Sequence, residues 1–154
     1  LKEWAALEKI DDGVLFSGWI EHNQLHHHLS QSDIFGFPSV RDFGGGVLVE
    51  AMALGLVPIV LDYAGPGELV TPHTGFLIPM GPKNDVIENM RSIFQNIVSN
   101  PSVIKPMRYA ARQRAEQCFS WKAKALQTCR VYDWVLGNQS EKPDFGMPLN
   151  DILP

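Results

Sequence analysis

The chain has 154 residues, 45% of them hydrophobic and 19% charged, which suits one domain with a substantial core and an ordinary soluble composition. A net charge of −4 without any Lys/Arg block excludes nucleic acid as an expected partner, and no apolar run approaches the roughly 18 residues needed to cross a bilayer. Two cysteines, Cys118 and Cys129, match no metal or redox spacing and are read as buried or idle thiols rather than a disulfide.

The chain opens at Leu1 without Met or a signal-peptide pattern, already inside a helical repeat, and reads as a fragment of a longer protein. "LKEWAALEKI" (1–10) predicts an amphipathic helix with Trp4, Leu7 and Ile10 facing inward. "VLFSG" (14–18) reads as a short strand, "HNQLHHHLSQ" (22–31) as a helix, and "DIFGFPS" (33–39) as a buried strand stopped by Pro38. A glycine loop then leads into a helix over roughly 46–54, followed by the strand "VPIVLD" (57–62). A turn is expected at "YAGPGE" (63–68), and a short strand at "GFLIP" (75–79). Three helices complete the pattern, roughly 84–98, 101–118 and 121–136. The division expected is a domain over 1–137 and a polar, proline-containing extended arm over 138–154.

Strands that are apolar throughout point to a parallel sheet covered on both faces. Their alternation with helices makes the fold α/β, doubly wound and Rossmann-like. Ligands of such sheets bind beyond the carboxyl ends of the strands, where Ser17–Trp19, Ser39–Gly46 and Tyr63–Glu68 are expected. Nine of the 13 glycines and six of the 11 prolines fall between residues 36 and 82, so that segment carries the sharp strand-to-loop turns.

Chemistry concentrates in "PSVRDFGGGVLVEAMALG" (38–55). Gly44, Gly45 and Gly46 let the backbone approach a ligand and turn directly into a helix, whose free N–H groups favour phosphate. Glu50 lies about one turn further on, and helical side chains lean back toward the N-terminus, so its carboxylate reaches the mouth that Asp42 borders. Two acceptors beside an anion-friendly helix end suit a ligand with both phosphates and hydroxyls, such as a nucleotide sugar. The bland alternative is that Glu50 only caps or pairs locally and Asp42 is an ordinary N-terminal acid. Arg41 stands by as a phosphate or loop contact. The "GPGE" turn offers Gly65 amides and Glu68, or else only a turn capped into a short helix.

His26, His27 and His28 cannot share a helix face, whereas His22 and His26 at i, i+4 can. Without a third ligand they read as a solvated surface, and no metal site is expected. Trp121, Tyr132 and Trp134 read as core or docking residues of the last helices.

The run "PSVRDFGGGVLVEAMALGLVPIV" resembles the signature of the retaining family 4 glycosyltransferases of the GT-B fold, in which two acids are separated by seven residues. Phe43, the glycines, Glu50-Ala51-Met52-Ala53 and Gly55 match in register, and "VLFSGWI", "SDIFGFPS" and "AGPGELV…TGFLIP" extend the likeness over roughly residues 1–136. The resemblance implies the C-terminal, donor-binding half of a GT-B enzyme, truncated at its N-terminus, serving polysaccharide or glycoconjugate biosynthesis. It implies that Asp42 contacts the donor sugar, that Glu50 binds the ribose hydroxyls, and that backbone amides of Gly44–Val47 face sugar and diphosphate. Gly18 and Trp19 then lie near the base. Asp42 departs from the glutamate usual at that position and is one methylene shorter.

The donor implied is a UDP-, GDP- or ADP-sugar, with no cofactor and no metal, and the partner implied is the missing acceptor domain. A cytoplasmic location follows, with peripheral membrane association left open through that missing part. The 154-residue chain alone is expected to be inactive and to bind nucleotide sugars weakly, because the strands and basic loop that the resemblance implies for the site are expected to precede Leu1. Two other classes stand beside this reading. One is a non-catalytic, regulatory domain of the same fold. The other is a dinucleotide-binding oxidoreductase domain, against which Val49 occupies the third glycine position of G-x-G-x-x-G.

Overall fold

The computed structural model describes residues 1–146. A short helix α1 (Lys2–Leu7) and a single 3₁₀ turn (Asp11–Gly13) lead through an exposed connection to helix α2 (His22–Ser30). The body follows as β1 (Ile34–Phe37), α3 (Gly46–Ala53), β2 (Val57–Leu61), α4 (Ala64–Leu69) and β3 (Phe76–Ile78). Helices α5 (Lys83–Ser99), α6 (Ile104–Arg114) and α7 (Trp121–Val135) complete it, with a π-helical turn (Ala115–Phe119) joining α6 to α7.

The strands form a parallel sheet in the order β1-β2-β3, with Ile34 opposite Val57 and Ile59 opposite Phe76. β2 is central, and its Val-Pro-Ile-Val-Leu run is buried at every residue, as a strand covered on both faces must be. Val60 faces Leu48 and Met52 of α3, Leu69 of α4 and Ala111 of α6 on one side. Ile59 and Leu61 face Ile97, Met90 and Ile93 of α5 on the other. Helices therefore lie on both faces of a parallel sheet, the α/β architecture expected. A smaller cluster of Leu25 and Leu29 with Ala51 and Leu56 locks α2 onto α3.

Helix α3 ends in a Schellman turn: Gly55 at φ +81 donates to Met52 O, and Leu56 donates to Ala51 O at 3.0 Å. Arg108 of α6 donates to the Gly55 carbonyl and pairs with Asp33, tying the end of α3 and the start of β1 to α6. Leu56 runs straight on into β2, so the direction of α3 is set at both ends.

Two expectations require correction, and one open alternative is decided. "VLFSG" (14–18) is not a strand: Val14 to Gly18 are exposed, and among the described residues β1 is an edge strand that ladders with β2 alone. A short apolar run becomes a strand only where a neighbour takes its backbone hydrogen bonds, and this one has none among the described residues. The same lack of a neighbour leaves α1 uncovered, so it turns Ala5 inward while Trp4, Leu7 and Ile10 stay exposed. Finally, of the two readings of "YAGPGE", an open turn or a turn capped into a short helix, the helix is found: the segment is the body of α4, with Gly67 donating to Tyr63 O. Pro66 is compatible with this because it stands in the first turn, where no intrahelical N–H donor is required.

Cys118 is half-buried and Cys129 exposed, both as free thiols. Trp121 and Tyr132 are exposed rather than core, and Trp134 is partly so. Of the expected arm, Asp144 and Phe145 line a cleft of about 280 Å³ with Cys118, Leu126 and Arg130, and 147–154 lie outside the described residues. Among the described residues, no helix is long and apolar enough to cross a membrane.

Candidate functional site

Because the three strands are parallel, their carboxyl ends share one edge of the sheet. There β1 gives way to the loop 38–45, and β2 gives way to α4 within two residues. Asp42 organises the first of these. Its Oδ1 accepts the N–H of Gly44 at 3.1 Å and of Gly45 at 2.6 Å, closing the loop just before α3. Gly45 is the N-cap at φ +64, ψ 28, a left-handed conformation open to glycine at little cost, and a Cβ there would lie 2.7 Å from Leu69 Cδ1.

The two glycine-rich elements press together. A Cβ built on Gly65 would lie 2.3 Å from the carbonyl oxygen of Phe43, so backbone meets backbone where loop 38–45 crosses α4. Ala64, the first residue of α4, is held at φ +49, a strained position for an L residue. The far end of α4 is gripped by Arg114 of α6, whose Nε donates to Leu69 O at 2.8 Å and Nη2 to Glu68 O at 3.4 Å. Sequence reasoning missed this arginine, since 45 residues separate it from its partner and no motif marks it.

Of the expected amide set, the structure makes a division. The N–H groups of Gly44 and Gly45 are occupied by Asp42, while those of Gly46 and Val47 meet no acceptor among the described residues. The second pair forms the open N-terminus of α3, where the helix dipole favours an anion. Asp42 Oδ2 makes no hydrogen bond among the described residues, so the carboxylate shapes the loop with one oxygen and keeps the other available.

Glu50 rises from the second turn of α3 with its side chain about one-third exposed. Its Oε1 lies 3.4 Å from His22 Nε2 and its Oε2 3.3 Å from His26 Nε2, both on α2. The sequence reads these histidines as a solvated surface, and both are exposed, but it does not show that they meet Glu50. Contact between α2 and α3 through Leu25, Leu29 and Ala51 is what brings them to the carboxylate.

Other expected residues have side chains that take no part in these contacts among the described residues. Phe43 turns its ring to solvent, and Arg41 has an exposed side chain and donates its backbone N–H to Ser39 Oγ. Gly18, at φ +68, and Trp19 sit in the exposed connection before α2, where the Trp19 indole N–H donates to Glu21 Oε1 at 3.2 Å. With no strand at 14–18, they are not carried to the sheet edge. Glu68 is half-buried, its carbonyl held by Arg114.

Comparison with known proteins bears on this arrangement. Sulfoquinovosyl transferase SQD2 of Arabidopsis thaliana is 30% identical over 124 residues, 76% of this chain and 23% of that protein. Glycogen synthase of Mycobacterium tuberculosis is 27% identical over 118 residues, 76% and 28% respectively. Among solved structures, sucrose-phosphate synthase from Thermosynechococcus elongatus superposes with a TM-score of 0.70 at 27% identity, covering 90% of this chain and 34% of that one. A glycosyltransferase from Rickettsia africae shares the fold at a TM-score of 0.62 and 20% identity, covering 90% and 36%. The chain thus spans between 23% and 36% of the length of these relatives. Residues 1–114, which include the whole sheet, the Asp42 loop and the Glu50 helix, match the family described as glycosyl transferases group 1, and the chain belongs to that family.

Proposed function

We propose that this chain is the donor-binding domain of a retaining glycosyltransferase of family 4, acting on a nucleotide sugar within a longer protein. The observation that carries the reading is the open helix start of Gly46 and Val47, with the free oxygen of Asp42 in the loop just before it and Glu50 one turn further along the same helix. Amides and the helix dipole suit the diphosphate. Glu50, on the second turn of α3, suits the ribose hydroxyls, and Asp42 suits the donor sugar. The bond from the anomeric carbon to the diphosphate breaks as the acceptor oxygen arrives on the same face. Negative charge grows on the leaving diphosphate and positive charge on the sugar ring. Fixed amides and the helix end meet the growing negative charge, and the Asp42 carboxylate meets the positive charge on the ring. The relatives' names include sulfoquinovosyl, glycogen and sucrose-phosphate chemistry, so the donor is proposed only as a UDP-, GDP- or ADP-sugar. Acceptor binding is assigned to other parts of the longer protein, and the 154-residue chain alone is proposed to be inactive.

The test separates the two acids. Glu50→Gln in the whole protein is expected to weaken nucleotide binding by about 1–3 kcal/mol, the range for losing a charge-assisted hydrogen bond. Asp42→Asn keeps a side-chain oxygen for the Gly44 and Gly45 amides and removes only the charge, so it is expected to lower turnover more than nucleotide affinity. Calorimetry and steady-state kinetics read the two effects apart. Wild-type behaviour in both variants would remove these acids from the site.

Transfer is further proposed to need no metal, since amides and a helix end face the diphosphate position. Activity is expected to survive EDTA. Complete loss on chelation, restored by Mn²⁺ or Mg²⁺, would overturn this.

A further inference from the structure

We propose that His22, His26 and Glu50 form a binding site for a divalent transition-metal ion, zinc above all, and that its occupation withdraws Glu50 from the donor. The second half of this statement rests on the proposed donor role of Glu50, and the first half does not.

One ligand atom from each of the three side chains lies within 4.8 Å of the other two. A tetrahedral zinc ion with bonds of about 2.0–2.1 Å to nitrogen and oxygen sets neighbouring ligand atoms about 3.3–3.4 Å apart. The observed separations are 3.4 Å from His22 Nε2 to Oε1 and 3.3 Å from His26 Nε2 to Oε2. Each imidazole nitrogen therefore already stands at ligand-to-ligand spacing from one carboxylate oxygen, His22 from Oε1 and His26 from Oε2, and rotations of the two exposed histidines and of Glu50 bring the set around one ion. Those rotations let a single carboxylate oxygen face both rings, or let the two oxygens share the ion.

The scaffold is firm where it must be. His22 and His26 stand at i, i+4 on one face of α2, one helical turn apart. Leu25 and Leu29, on the adjoining stripe, seal α2 against Ala51 and Leu56, next to Glu50. The spacing between the imidazoles and the carboxylate is thus fixed by buried apolar contacts rather than by the polar groups themselves. The histidine side chains are 73% and 52% exposed, so the site is open to ions from solution.

The donor set also selects the metal. Two neutral imidazoles and one carboxylate match zinc sites that keep a fourth position for water, and imidazole suits Zn²⁺, Cu²⁺ and Ni²⁺. Mg²⁺ and Ca²⁺ prefer shells made wholly of oxygen and find one carboxylate here. A metal at this site is consequently distinct from any ion that would serve a diphosphate. It is expected to inhibit rather than support transfer, because Glu50 cannot accept ribose hydroxyls while it ligates the ion.

The experiment titrates ZnCl₂ into the whole, metal-stripped protein by calorimetry, then repeats the nucleotide titration with and without zinc. One ion per chain is expected, with no matching signal from MgCl₂. Changes in outer-shell partners alone alter metal affinity by about 10–100-fold, so His26→Asn and the His22→Asn/His26→Asn pair should weaken zinc binding at least tenfold. His27 and His28 remain in these variants and control for binding by loose surface histidines. Zinc should raise the apparent nucleotide Kd of the wild type and leave that of the double variant at its own zinc-free value. Equal zinc affinity in wild type and the double variant would overturn the site. Zinc bound at the trio with unchanged nucleotide affinity would overturn the competition. Glu50→Gln then shows which premise failed: weakened nucleotide binding in that variant keeps the donor reading, and unchanged binding ends it.

Discussion

Gly65→Ala is expected to lower the melting temperature and impair transfer, although alanine is the better helix former. Two effects of opposite sign compete at this position. Replacing glycine within a helix gains up to about 1 kcal/mol from backbone propensity. Against this, the new methyl would lie 2.3 Å from the Phe43 carbonyl oxygen, a backbone atom with no rotamer into which it can retreat. Forcing atoms into filled space costs about 1–3 kcal/mol, occasionally more, and here relief requires moving loop 38–45 or α4. Either motion disturbs Asp42, which holds the Gly44 and Gly45 amides beside this contact. The repulsion should win. Thermal denaturation gives the sign directly, and a variant more stable than wild type would show that loop and helix do not meet as described.

The second large effect is expected at Leu48, which is fully buried in the cluster joining α3 to Val60, Leu69 and Ala111. Leu48→Ala removes three carbons and leaves a cavity, for a loss of about 2–5 kcal/mol. At roughly 2–4 °C per kcal/mol for a chain of this size, a mid-range loss of about 3 kcal/mol lowers the melting temperature by roughly 6–12 °C. Because Leu48 and Glu50 belong to the same short helix, nucleotide affinity should fall too, more than with an exposed change. Leu126→Ala serves as the control, since Leu126 is 57% exposed and such surface substitutions stay within about 0.5 kcal/mol. Equal melting shifts in the two variants would contradict the packing of α3 against β2.

How much could be read in advance differs by element. The strands at 33–39 and 57–62 and the long helices α5 and α7 were legible, because apolar runs and helical periodicity are local properties. Helix α4 was legible only as one of two alternatives, because Gly65, Pro66 and Gly67 carry turn chemistry. What makes that segment helical is contact outside it, with Phe43 above and Arg114 at its end. The strand expected at 14–18 failed for the converse reason. Its residues are locally suitable, but a strand exists only with a partner.

The site divides in the same way. Sequence by itself determined the glycine loop, the spacing of Asp42 and Glu50, and membership of the group 1 glycosyl transferases, because these lie within one strand-loop-helix unit whose geometry is set by neighbouring residues. Tertiary structure alone decided how that unit is set against α4, where Gly65 meets the Phe43 backbone. It alone placed two histidines of α2 against Glu50, across 24 and 28 residues of chain. No periodicity can report such a meeting. It is produced by Leu25 and Leu29 burying themselves against α3, and the polar residues beside them are carried along.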